Sequence, residues 1–359
     1  MGSSADTGPR YRTLDHWRGI AALAVLLDHV YSPWLAAHPT VAPGWVATVI
    51  RHGWLGVELF FVISGYCITE RLAAQYRSRS AAADFLFDRA WRLFPPYWAA
   101  LFLTLVLRMA AEPFNQSQLT WNPVDWLCAP FLLETWLGRT PVLGVSWTLA
   151  CEVFFYLVAG ACLKIAYVSG RRWAGYLTAL LVTPACVAAA GHFRLPALAY
   201  WPHFATGVAL WFLVQFRVSA RTITAGALIF GGTFCTSAFP WVVPPVAIQV
   251  SALFAFVLLV LHPMDSAILR LPFLRPLATV GMFSYSLYLI HQSIAGPMQN
   301  LLGRWWPPAD PAGLLPLLCG VAAIFVAWSF YRRVEVPSET RRRARRRSPV
   351  IRPLAHETL

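Results

Sequence analysis

An all-α fold of about ten membrane spans is the architecture the sequence predicts, and three observations predict it. The 359-residue chain is 58% hydrophobic and only 13% charged, where soluble domains carry about 25% charged residues. Its mean hydropathy is +0.54. Apolar stretches near the ~20 residues that cross a bilayer recur along the whole chain, and 17 Trp and 12 Tyr suit its two interfaces. The predicted spans are 15–35, 53–70, 86–108, 143–164, 173–190, 197–216, 222–238, 244–261, 278–298 and 312–331. They divide the polytopic chain into an N-terminal tail (1–14), a transmembrane domain (15–333) and a basic C-terminal tail (334–359).

Charge sets the orientation. The formal net charge is +13, and of 29 basic residues only Lys164 is a lysine. A nucleic-acid partner is excluded by where the charge sits, in short loops between apolar spans and in a tail. With the N-terminus inside, the inner loops hold Arg71, Arg77, Arg79, Arg89, Arg92, Lys164, Arg171, Arg172, Arg217, Arg221, Arg270 and Arg275. The outer side holds only Arg51, Arg108, Arg139, Arg194 and Arg304. Both termini are therefore expected in the cytoplasm, with an even number of spans. The run RRRARRR (341–347) reads as an anchor facing anionic membrane lipid. The seven cysteines form no CxxC or metal-ligand spacing and read as small apolar core residues, so no metal is expected. The first span is not a cleaved signal, because Arg18, Asp28 and His29 lie within it. Position six of MGSSAD is Asp, which fails the myristoylation pattern.

The spans carry four polar clusters. In LDHWRGIAALAVLLDHV (14–30), Arg18 and His29 are eleven residues apart. That is about 16.5 Å of helical rise and almost whole turns, so both side chains share a face. Snorkelling alone would account for Arg18; His29 is a candidate general base or a structural imidazole. Asp28 projects elsewhere around the helix. The second cluster is FFVISGYCI (60–68), where Gly53, Gly56, Ser64 and Gly65 read as a close-packing face. Glu58, just before it, needs a partner. In FLFDRAWRLFPPYW (85–98), Arg89 and Arg92 share a face. They suit phosphate or membrane anchoring equally, and Pro95–Pro96 predicts a broken helix lining a cavity. In SWTLACEVFFY (146–156), Thr148, Glu152 and Tyr156 repeat every four residues on one face. Glu152 and His29 both fall in the outer halves of their helices and are expected to pair. The outer loop 110–142, with Glu112, Asp125 and Glu134, reads either as a cover over a site or as an interfacial lid.

At these segments the chain resembles the acyltransferase 3 family of integral membrane acyltransferases. The resemblance rests on LDHWRGIAAL with His29, GVELFFVISGY, DRAWRLFPPYW, SWTLACEVFFY and the late segment FSYSLYLIHQ (283–292). It implies about ten spans in a bacterial cytoplasmic (inner) membrane. It also implies transfer of an acyl group, often acetyl, from acyl-CoA to a sugar or other hydroxyl. Arg18 to His29 matches the family spacing in which the histidine is essential. Arg89 and Arg92 match its RxxR motif, held to engage the donor. Thr148 and Glu152 match its Ser-x-x-x-Glu motif with Thr for Ser, and Val153 stands where many members carry a second acid. Many relatives also bear a C-terminal SGNH domain; this chain is expected to be the stand-alone form.

The resulting expectation is a trans-membrane O-acyltransferase. Arg89 and Arg92, with Arg18, hold the phosphates of acyl-CoA, and the pantetheine arm reaches His29. There His29 deprotonates the acceptor hydroxyl or takes the acyl group, Glu152 supports it, and Thr148 and Tyr156 line the substrate path. The competing expectation is a transporter or flippase of a polar lipid or glycan. That reading predicts an internal repeat, which the sequence lacks.

Overall fold

The computed structural model describes residues 11–75, 80–111, 122–171, 189, 196–215, 245–307, 310 and 313–347. Regular structure among them is helical throughout. Six stretches are long and apolar enough to cross a membrane: Leu14–Ala37, Gly44–Ala73, Ala81–Ala110, Ser146–Ser169, Val246–Ile268 and Leu314–Ala344. The pair Pro272–Met282 and Ser284–Leu302, bent by 70°, adds a seventh if taken as one. The sixth expected span is present as the 15-residue helix Trp201–Gln215. The fifth and seventh, 173–190 and 222–238, lie outside the described residues apart from residue 189.

The helices are α1 (Leu14–Ala37), α2 (Gly44–Arg51), α3 (Gly56–Gln75), α4 (Ala81–Ala111), α5 (Pro123–Cys128), α6 (Ser146–Ser169), α7 (Trp201–Gln215), α8 (Pro245–Leu261), α9 (Arg275–Met282), α10 (Ser284–Leu302), α11 (Leu314–Phe330) and α12 (Val336–Arg347). The start of α1 is tied down by Asp265, which accepts from the Arg12 and Thr13 amides at 2.8 and 3.0 Å and from the Thr13 hydroxyl at 2.6 Å. The carboxylate thus satisfies donors that a helix start leaves open.

Glycine sets how closely α1 and α3 meet their neighbours. A Cβ on Gly281 of α9 would lie 1.7 Å from the Asp15 carbonyl oxygen, and one on Gly19 of α1 would lie 2.0 Å from that of Leu277. Gly65 of α3 and Gly207 of α7 meet the same way, 2.2 Å from Phe204 O and 2.0 Å from Val62 O. Lipid supplies no hydrophobic drive between helices, so such contacts hold them by close packing. The packing reading of Gly53, Gly56 and Gly65 therefore stands, with Gly53 and Gly56 set against Ala24 and Ala21 of α1. Glu58 finds its partner in His203 of α7, Oε2 to Nδ1 at 3.2 Å, and Ser251 of α8 lies 2.6 Å from the same nitrogen. All three are buried.

Three expectations are corrected. Pro95–Pro96 does not break α4, which runs unbroken from Ala81 to Ala111. The carbonyl of Trp91, which Pro95 has no N–H to reach, instead faces Ser338 of α12, whose hydroxyl donates across 3.5 Å. Trp91 returns its indole N–H to the Ser338 carbonyl at 3.2 Å. The break falls in the ninth expected span, 278–298. Gly281 is pressed against α1 there, and Phe283 leaves helical geometry at φ −110°, ψ 18°. Finally, the basic run 341–347 does not simply face lipid. It belongs to α12, which continues α11 and packs against α4, so that Arg342 is buried beside Glu339 and Asp88.

On the other side of the bundle, the described part of the 110–142 loop is pinned to α4. Tyr97 donates to Ala129 O at 2.6 Å, Trp98 to Pro130 O at 2.9 Å and Arg108 to Val142 O at 2.7 Å. Glu134 accepts the Val142 amide at 2.5 Å, and Arg139 pairs with Asp125. Burial raises the Glu134 carboxyl above its ordinary range, against the pull of that amide. The five cysteines among the described residues, 67, 128, 151, 162 and 319, are free thiols, as a core reading requires.

Candidate active site

Helices α1, α3, α4, α6 and α10 enclose a cavity of about 480 Å³. The elements place its polar residues in two groups. Arg18, Arg71, Arg89 and Arg92 line it together with Glu335, while Ser64, Thr148, Glu152, Tyr156 and Tyr288 supply hydroxyls and one carboxylate. A second hollow of about 930 Å³ adjoins it, shares Arg71, Arg92 and Glu335, and is bounded by α12. The four-residue repeat of α6 thus behaves as its spacing predicts, and Thr148, Glu152 and Tyr156 all reach the cavity.

The arginines are crowded. Arg71 lies within electrostatic reach of Arg89, Arg92 and Arg342, with Asp88 as an opposing charge. Arg89 is 4% exposed, and its guanidinium packs over the rings of Phe85 and Tyr156 at 5.4 and 5.6 Å. Its Nε and Nη2 are buried with no hydrogen-bond partner. Glu335 sits in a π-helical turn, Tyr331–Glu335, that joins α11 to α12. Such turns carry one extra residue and gather at functional sites. Glu335 accepts from Ser286 at 2.5 Å and offsets Arg18 and Arg92. Arg18 also lies 3.8 Å from Asp15. Tyr11, ahead of α1, lines the same end and donates to Leu258 O at 3.1 Å. Burial and Asp265 push its hydroxyl up to about 12, so it stays neutral.

At the hydroxyl end, Glu152 accepts from Ser64 at 3.3 Å and from Tyr156. Thr148 donates to Val145 O at 2.8 Å and meets the Tyr288 hydroxyl at 2.9 Å. The expected pairing of Glu152 with His29 is not formed. Glu152 is directed at the cavity and its arginines, whereas His29 does not line the cavity. His29 instead holds Val25 O by Nδ1 at 2.8 Å and meets the ring of His291 edge to face at 4.9 Å. A carbonyl only accepts, so Nδ1 carries the proton and Nε2 of the neutral ring is the basic atom.

Tyr288, His291, Glu335 and Arg71 escape sequence reasoning as site residues. Tyr288 and His291 carry a usable signal, since Tyr285, Tyr288 and His291 recur at three-residue steps within FSYSLYLIHQ. Glu335 carries none, because a π turn places it. No three His, Cys, Asp or Glu side chains converge as a metal-ligand group among the described residues.

Comparison with known proteins identifies relatives of the chain by sequence. The chain is 27% identical over 213 residues to Nodulation protein 10 of Rhizobium leguminosarum bv. viciae, covering 54% of this chain and 55% of that protein. It is 29% identical over 165 residues to O-acetyltransferase OatA of Staphylococcus aureus (strain NCTC 8325 / PS 47), covering 42% of this chain and 24% of the relative. Peptidoglycan O-acetyltransferase OatA of Listeria monocytogenes is 25% identical over 167 residues, with 43% and 24% covered. The chain thus spans less than two thirds of these relatives. No solved structure matches it. A family model for an acyltransferase domain matches residues 11–332, nearly the whole described bundle. The chain belongs to the acyltransferase 3 family of acyltransferase domains.

Proposed function

We propose that the protein is a membrane O-acyltransferase that carries an acyl group, acetyl in the simplest case, from acyl-CoA on the cytoplasmic side to a hydroxyl presented at the opposite face. The carrying observation is Arg89, a buried guanidinium with two unpartnered nitrogens in a cavity that Arg18, Arg71 and Arg92 also line. Buried guanidinium nitrogens without hydrogen-bond partners are costly, and a phosphate-bearing donor supplies acceptors in the fork geometry that arginine favours. From the arginines the cavity leads to Thr148 and Tyr288, one helical turn of α10 before His291. A flexible thiol arm fits that course, with the nucleotide held below. His29 takes the hydroxyl proton through Nε2. The acceptor is a carbohydrate in this reading, in line with the name of the Listeria relative, a peptidoglycan O-acetyltransferase. The membrane is the bacterial inner membrane, with both chain termini in the cytoplasm.

The test uses purified protein and radiolabelled acetyl-CoA without acceptor. Label retained on the protein and lost in His29→Ala identifies an acyl-histidine; no retained label in protein that still acetylates an added soluble peptidoglycan fragment identifies direct transfer. Well-folded protein that gives no label, no acetylated fragment and no thiol release overturns the proposal. In cells, mass spectrometry of surface glycans with His29→Ala then names the acceptor by the acyl mass that disappears.

A further inference from the structure

His291 on α10 is 1% exposed and fixed by its own helix. Its Nδ1 lies 2.8 Å from Tyr288 O and 3.1 Å from Leu287 O. Both oxygens only accept, so Nδ1 bears the proton and Nε2 presents a lone pair. That Nε2 is buried with no hydrogen-bond partner. His29 is held in the same tautomer by Val25 O. Two imidazoles in the same tautomer therefore lie edge to face, with ring centroids 4.9 Å apart and planes at 72°. Packing alone does not call for a ring with an unsatisfied nitrogen, because a phenyl ring fills such a space without leaving one. Two charged rings at that distance in a buried site oppose each other, so only one of the two carries charge at a time.

We propose that His291 is the positioning partner of His29, steadying the charge that His29 gains when it takes the acceptor's proton; this rests on the reading of His29 as the reactive base. As the acceptor oxygen attacks the thioester carbonyl, its O–H bond breaks and a proton joins Nε2 of His29. The lone pair of His291 steadies the resulting imidazolium, a role the sequence assigned to Glu152. When the carbon–sulfur bond breaks, the proton passes to the leaving sulfur. The products are the ester and the free thiol, and both rings end neutral.

The test compares His291→Phe, which keeps a ring and removes both nitrogens, with His291→Gln, which keeps a hydrogen-bond acceptor. Full-length protein in detergent is assayed for thiol release from acetyl-CoA, first with water and then with a soluble peptidoglycan fragment as acceptor. The expected result is a kcat about 100-fold lower in His291→Phe, the scale of lost acid–base assistance, with KM for acetyl-CoA little changed. Partial recovery is expected in His291→Gln. The double variant with His29→Ala should be no slower than His29→Ala alone, as for residues acting as a unit. Wild-type kcat in His291→Phe, or losses that multiply in the double variant, overturns the proposal. Full activity in His29→Ala is a different result, since it removes the reading of His29 itself.

Discussion

Arg89 has two buried nitrogens to donate and, among the described residues, no acceptor for them. Lysine at that position keeps the charge and loses the planar fork. Arg89→Lys is therefore expected to weaken acetyl-CoA binding by about tenfold, roughly one charge-assisted hydrogen bond, as read by calorimetric titration. An unchanged affinity would remove Arg89 from the donor site. Thr148→Val tests the other end of the cavity. It deletes the hydroxyl that meets Tyr288 and costs about 1 kcal/mol, seen as a lower thermal midpoint, while Thr148→Ser should behave as the native protein. Helical spacing alone made legible that Arg89 and Arg92, and likewise Thr148, Glu152 and Tyr156, share a face within their own spans; that they and Arg18 meet at one site was implied by the family resemblance. The partner of His29 was not legible. His29 and His291 are brought together by the packing of α1 against α10, and nothing local to either segment distinguishes His291 from Glu152 as the neighbour.

The crossings of α1 with α9 and of α3 with α7 leave no space for a methyl group. Gly281→Ala would set a carbon on the Asp15 carbonyl, and the helices must part to admit it. A loss of about 1–3 kcal/mol is expected, the usual cost of overpacking, measured as thermal unfolding in detergent. Gly44→Ala, where a Cβ meets nothing within 4 Å, is the control and should be neutral. Proline is the instructive failure at this scale. Its local chemistry predicts a break at 95–96, yet α4 continues, because a proline costs a helix only those hydrogen bonds that no neighbour replaces. Ser338 answers one of them. The actual bend, at Phe283, follows from Gly281 pressing on α1, a long-range contact that no proline marks.

For the molecule as a whole, composition and hydropathy announced a helical membrane bundle, and they do so whatever the details of packing. Individual boundaries depend on contacts between distant segments, which is why the ninth span came apart. Orientation is the property most open to direct measurement. In a variant lacking native cysteines, Arg343→Cys should react with an impermeant maleimide only from the cytoplasmic face, and Leu137→Cys only from the opposite face. Labelling of both from one side would overturn the topology and, with it, the route of the donor.

The π turn at 331–335 holds one residue of slack in an otherwise continuous rod. Inserting a residue after Val334 would exceed that slack and swing everything beyond it by about 100°. Glu335 would leave the arginines it offsets, and Ser338 would turn away from Trp91. A helix so turned would detach residues 336–347 from α4, and protease would cut a segment that the native protein keeps docked. The loop of slack works as a dial, and its present setting is what seats the tail against α4.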